Sequence, residues 1–260
     1  MHSLSFKKLF TTIGIFLAPT LACAIDIDNP DWQFDVAPYI WAINMDGTVT
    51  NGPFTSHISE SFSELMKHFD GGGMLWLDAY KGRFGIFVNG LYTDLSDHDN
   101  IGKLDASVRT HFGIISGGIS YVVLQKRLYN TENFHQIQLE PYIGARYTFN
   151  YVKLKLDDIH AQENPEWTDA IIGLRVRDDI NIHWLVTLAG DLGGKDYRNQ
   201  HSYNLVGLIG YKPTNPTFKN TTVYLGYRYL YQFYEQGHDL DFFQWDMKLF
   251  GPILGLNFNF

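Results

Sequence analysis

Three short stretches join carboxylates to an imidazole: Asp94-x-x-Asp97-His98-Asp99, Asp157-Asp158-x-His160 and His238-Asp239-x-Asp241. Hard oxygen ligands beside an imidazole suit a divalent cation. Asp97, His98, Asp99, Asp158, His160, His238 and Asp239 are therefore the candidate metal ligands. The same pairing can act as general acid and base in the hydrolysis of a lipid or peptide. Loops that must simply stay in water have this composition too, and that ordinary role is the leading one. The chain has no Gly-x-Ser-x-Gly and no His-Glu-x-x-His, and Ser116 and Ser120 have no evident base.

The elements that carry these loops read as β-strands with period-two alternation. Ile137, Leu139, Pro141, Ile143, Ala145, Tyr147, Phe149 and Tyr151 share one face, while Gln136, Gln138, Glu140, Tyr142, Gly144, Arg146, Thr148 and Asn150 share the other. That run is longer than a soluble sandwich strand needs and suits a tilted strand that crosses a membrane and projects beyond it. Similar alternation recurs from Trp32, Met74, Phe84, Asp105, Glu166, Ile180, His201 and Thr222. The last strand puts Leu254, Leu256, Phe258 and Phe260 on one face and Gly255, Asn257 and Asn259 on the other. The count is about ten, or eight if two weak strands fail, or twelve if residues 48–60 form a hairpin.

Local signals refine this picture. Pro38 cannot donate to a ladder, which predicts a local register adjustment. Ser61-x-x-Glu64 is a capping box, with Phe62, Leu65, Met66 and Phe69 at helical spacing and Gly71-Gly72-Gly73 as terminator. This predicts one short loop helix, on the outer rim or folded into the mouth. After Gly117-Gly118 the apolar phase shifts to Ile119, Tyr121 and Val123, which predicts a bulge.

The start of the chain reads as a secretory signal. Lys7 and Lys8 precede an apolar run, and Ala22-Cys23-Ala24 supplies a cleavage site after Ala24. A lipoprotein would need an aliphatic residue where Thr20 stands. The expected organisation is a signal peptide, 1–24, and one domain, 25–260. Removing the signal takes away the single cysteine and moves the formal charge from −8 to −10. Such an acidic export product is a poor nucleic-acid binder. No later segment has the 18 or so uninterrupted apolar residues of a membrane-spanning helix.

These strands meet in a simple architecture. In hydrocarbon every backbone amide must be paired within the protein, so a sheet must close on itself. The expectation is an all-β, antiparallel, up-and-down transmembrane barrel in the outer membrane of a Gram-negative cell. Its lipid and lipopolysaccharide contacts would be made by an apolar band edged by Tyr147, Tyr151, Tyr227, Tyr229, Tyr231, Trp184 and Trp245. The inner face carries Asp35, Asp78, Glu140, Asp169 and Asp191 beside Arg109, Arg146, Arg175 and Arg228. In a narrow bore such charges pair, because an unpaired buried charge is costly. Asp191 and Arg228 are expected to neutralise one another.

Several motifs occur in one order: Trp32-x-Phe34 with Pro38-Tyr39-Ile40-Trp41, Gly190-Asp191-Leu192-Gly193-Gly194, Gly226-Tyr227-Arg228-Tyr229 and Gly251-Pro252-Ile253-Leu254-Gly255. As a set they resemble a widespread family of small proteobacterial outer-membrane β-barrel proteins of unassigned activity. Lys195-Asp196 stands where such proteins tend to have Phe-Gly. The resemblance implies fold and location but no reaction. In outer-membrane barrels a closing strand that ends in an aromatic, here Phe260, is also read by the barrel assembly machinery. The expected role is structural, binding, or narrow porin-like solute transport, with a loop-based hydrolase as the alternative.

Overall fold

The computed structural model describes residues 25–101, 104–127, 135–156, 159–215, 218 and 220–260, with backbone alone at 97–101, 104–108, 154–156 and 159–163. The expected signal peptide lies outside the described residues. In chain order the elements are β1 (Trp32–Trp41), β2 (Asn44–Asn51), β3 (Phe54–Glu60), α1 (Phe62–Lys67), β4 (Phe69–Lys81), β5 (Phe84–Ile101), β6 (Leu104–Tyr121), β7 (Leu124–Arg127) and β8 (Gln136–Leu156). Then follow β9 (Ile159–Glu163), β10 (Glu166–Asp179), β11 (Trp184–Asp196), β12 (Gln200–Tyr211), β13 (Thr221–Gln236) and β14 (Phe243–Asn259). All recorded pairings are antiparallel. β1, β4, β5, β6, β8 and β10 to β14 run in order round a ten-stranded barrel, and β14 closes on β1.

The wall is apolar outside because alternate residues meet two different solvents. Leu77, Ile86, Ile119, Ile143, Ile172, Leu188, Leu205, Leu225 and Leu254 are exposed on the outer face. Trp32, Tyr121, Trp184 and Tyr211 edge this band on the side of the chain termini, and Tyr92, Tyr203 and Tyr227 edge it on the loop side. Beyond that second edge the polarity of the two faces inverts while the alternation continues. In the loop-side half of β14, Gln244, Asp246 and Lys248 turn outward while Trp245, Met247 and Leu249 are buried inside. Outward Lys248 reaches Asp46 of β2 at 3.5 Å, and outward Arg109 bonds Asp94 at 2.6 Å. A charged exterior means this collar stands above the hydrocarbon, in water.

The hairpin expected over residues 48–60 forms as β2 and β3, yet it adds no spanning strand. β2 takes over from β1 along β14: β1 pairs residues 253–259 and β2 pairs residues 243–250. The break between them is bridged by the Ala42 amide on the Pro252 carbonyl, 2.9 Å, and by the Asn44 side-chain amide on the Phe250 carbonyl, 3.1 Å. Gly251 faces the Ala42 carbonyl so closely that any Cβ there would overlap it.

Three local expectations are corrected, and one holds. The pairing of β1 with both neighbours keeps one register on either side of Pro38, although no pair with β14 forms at Ala37 or Pro38. β6 pairs without a register shift, so there is no bulge after Gly117-Gly118; Ile115, Ile119 and Tyr121 share one outward phase. Helix α1 is capped as read, with Ser61 Oγ accepting from the Glu64 amide at 3.3 Å, and it lies on the rim with no buried residue. It ends at Lys67, before the glycines. Gly71-Gly72-Gly73 belong to β4, which begins with an irregularity between Phe69 and Gly71. Glycines read as a helix stop because they lack a Cβ; at Gly72 the same lack lets the strand pass the Tyr92 carbonyl, which a Cβ would overlap.

Candidate functional site

The bore has two fillings. Nearer the termini it is polar. Arg146 reaches Asp191 at 2.5 Å, Ser202 Oγ at 3.1 Å and Ser116 Oγ at 3.4 Å. Asp191 also accepts from Tyr142 at 3.0 Å and Asn204 at 2.8 Å. Asp169 accepts from Ser202 at 2.7 Å and Gln200 at 2.8 Å. Below them Arg175 donates to Asp78 at 3.2 Å and to the Tyr80 hydroxyl at 2.7 Å, and it lies 3.6 Å from Glu140. Tyr80 donates onward to Glu140 at 3.0 Å. Lys212 and Asp179 pair at 2.7 Å nearer the terminal rim. Arg146, Asp169, Asp191, Arg175 and Glu140 thus each have two or more polar partners, the condition under which a buried charge is tolerated.

Eight of the nine lumen charges read from the sequence therefore face the bore: Asp35, Asp78, Glu140, Arg146, Asp169, Arg175, Asp191 and Arg228. Arg109 does not. It lies on the outward side of β6, largely exposed, and bonds Asp94 through Nε at 3.2 Å and Nη2 at 2.6 Å. That hydrogen bond holds the Asp94 carboxyl below the usual carboxylate range. The expected Asp191–Arg228 pair is also corrected. Asp191 is taken by Arg146, and Arg228 donates instead to two amide oxygens, Asn204 at 2.9 Å and Asn89 at 3.1 Å. Its guanidinium lies 4.6 Å from the Trp41 ring centre, a cation–π contact that a desolvated arginine favours. Asn204 thereby links the two groups, donating to one and accepting from the other.

Toward the loops the bore is filled by hydrocarbon. Trp41, Leu91, Phe112, Ile114, Trp167, Leu230, Trp245, Met247 and Leu249 form one buried cluster. Trp245 stacks on Phe112 with ring centres 6.0 Å apart and tilts against Trp167 at 5.9 Å. Trp167 stacks on Tyr234 at 4.8 Å. Trp245 is thus interior, not part of the outer aromatic edge. Sequence reasoning missed this plug, because it assigned apolar residues to lipid wherever alternation was clear. The signal that reveals it is the switch in β14, where the polar residues Gln244, Asp246 and Lys248 take the outward phase.

The carboxylate–histidine loops do not converge. His98 pairs with Ser107, Ser107 with Lys155, and Lys155 with His160, so the two histidines share a row but lie three strand spacings apart, about 14 Å. His238 and Asp239 stand in the turn between β13 and β14, on another part of the rim, and Asp239 has φ of 54°. Asp158 lies outside the described residues, as do the side chains of Asp97, His98, Asp99 and His160. Among the described residues no three His, Cys, Asp or Glu side chains gather as a metal site.

Neither a protein-family model nor a curated protein sequence matches the chain. Among solved structures, the chain is similar to the outer membrane protease OmpT of Escherichia coli, with 11% identity, a TM-score of 0.56, and coverage of 90% of this chain and all of that one. Weaker likenesses are to the attachment invasion locus protein Ail of Yersinia pestis (10% identity, TM-score 0.36, 88% of this chain and 98% of that one) and to the translocator domain of autotransporter NalP of Neisseria meningitidis (10% identity, TM-score 0.37, 90% of each chain). At these identities the likeness to OmpT is one of fold alone: this chain folds as a ten-stranded barrel of the outer-membrane type.

Proposed function

We propose that this protein resides in the outer membrane as a closed barrel, with a structural or ligand-binding role rather than that of an open diffusion pore. The carrying observation is the loop-side plug: Trp41, Leu230, Trp245, Met247 and Leu249 have 1% exposure or less, although each points into the bore. Ions do not pass a lumen filled to that degree, since its residues offer neither water nor polar partners. The outer apolar band with aromatic edges supports membrane residence. The chain's start is read as an export signal, and β14 with Phe260 as the segment recognised by the assembly machinery. Lipid and lipopolysaccharide would then meet the band and the charged collar above it. A loop-based hydrolase has no support in the backbone placement of His98, His160 and His238.

The test is conductance. Purified, refolded protein in a planar bilayer is expected to give a silent trace, and steady ohmic steps from the wild type would overturn the proposal. Substituting Trp245→Ala together with Trp41→Ala is expected to admit current, because the plug then loses two of its indoles.

A further inference from the structure

The terminal-side half of the bore encloses a cavity of about 80 Å³, room for a few water molecules or a short organic acid. Its apolar wall comes from Ala37, Ala189, Val206, Leu208 and Ile253. Its polar wall has unused hydrogen-bonding capacity. Arg177 Nε, Thr187 Oγ1 and Trp76 Nε1 are all shielded from bulk solvent and have no partner among the described residues. Thr187 is only 7% exposed. Arg177 and Thr187 are direct cross-strand partners in β10 and β11, so their side chains enter the cavity together.

The charges are not matched there. Both carboxylates of the lining have neighbours already: Asp78 accepts from Arg175, and Asp35 accepts from the Asn259 side chain. Arg228 bonds only amide oxygens, and Arg177 has no carboxylate within ion-pair distance among the described residues. A guanidinium cannot relieve its burial by losing a proton. Three donors, a guanidinium that no carboxylate contacts directly although Asp35 shares its cavity, and a hydrocarbon wall describe a receptor for an anion with an apolar body. A second, smaller space shares Asp35, Arg177, Tyr224 and Asn257 and continues past Lys212 toward the terminal rim, giving a route of entry from that side.

We propose that this cavity is a binding site for a small aliphatic carboxylate, held by Arg177 and Thr187 and approached from the terminal side. The site does not require the loop-side plug to be shut, so it stands or falls separately from the closed-barrel reading.

The experiment is calorimetric titration of the refolded, detergent-solubilised full barrel with sodium butyrate, with butylammonium chloride and inorganic phosphate as controls. Butyrate is expected to bind saturably, and butylammonium, with the same body and opposite charge, is expected not to. Arg177→Gln should weaken butyrate roughly tenfold or more, the usual cost of losing a charge-assisted hydrogen bond. Thr187→Val, nearly isosteric, should weaken it several-fold, and it keeps the test alive if the arginine variant does not fold. The proposal is overturned if butyrate fails to bind, if phosphate binds as tightly, or if folded Arg177→Gln or Thr187→Val binds butyrate as the wild type does. A silent bilayer with no butyrate binding removes the site and leaves the closed barrel standing.

Discussion

On the terminal side the bore is held by Arg146, Asp191, Arg175 and Glu140, each with two or more polar partners, and by Asp78, paired with Arg175; on the loop side it is held by the packing of Trp41, Trp245, Met247 and Leu249, whose two indole N–H groups have no partner among the described residues. The two fillings face different exteriors. Where the wall meets lipid, the outer residues must be apolar, and the polar residues of each strand turn inward. Where the wall rises into water, the outer residues can be charged, and apolar ones turn in. One strand, β14, makes both choices along its length without changing its alternation. Burial inside this barrel therefore follows the solvent on the other side of the wall.

The difference predicts distinct responses to mutation. Arg146→Met should have the largest effect, about 3–5 kcal/mol in the denaturant unfolding of refolded protein, because it strands Asp191 in a dry bore. Adding Asp191→Leu should restore part of that loss, and a double variant no better than the single would break the claim that the stranded charge is the cause. Leu249→Ala should cost less, about 3 kcal/mol, through a cavity in the plug, and its cost should be the same at low and high salt.

The collar supplies the smallest effect. Because Asp94 is hydrogen-bonded by Arg109 and its folded pKa is depressed, its contribution is present above the ordinary carboxylate pKa and lost as pH falls through the lowered value. Asp94→Asn should therefore leave stability nearly unchanged at neutral pH and slightly flatten its decline in acid. A neutral-pH loss comparable to that of Arg146→Met would erase the distinction between bore and collar.

Much of this architecture was legible in the sequence. Eight alternations from Gln136 to Tyr151 define β8 because both faces of one strand meet sharply different media. The positions that were not legible are those where the medium changes. Trp245 and Arg109 both lie in the collar, so rules for a lipid-facing wall placed each on the wrong side. Arg177 follows Arg175 by one full alternation and so was readable as inward. That it lacks a partner while Arg175 has three depends on which strands stand opposite, and a single sequence does not contain that arrangement. The hairpin β2–β3 was foreseen as two extra staves, whereas pairing with β14 makes it an extension of one.

The seam has a consequence for how the molecule is made. Asp35 pairs with Asn259, and both segments that β14 must meet, 32–41 and 44–51, are synthesised long before it. A chain that stops before residue 243 leaves the ring open, and such distant pairings form slowly. The nascent chain must therefore be kept from aggregating, with its edges unsatisfied, until the seventeen residues of β14 arrive.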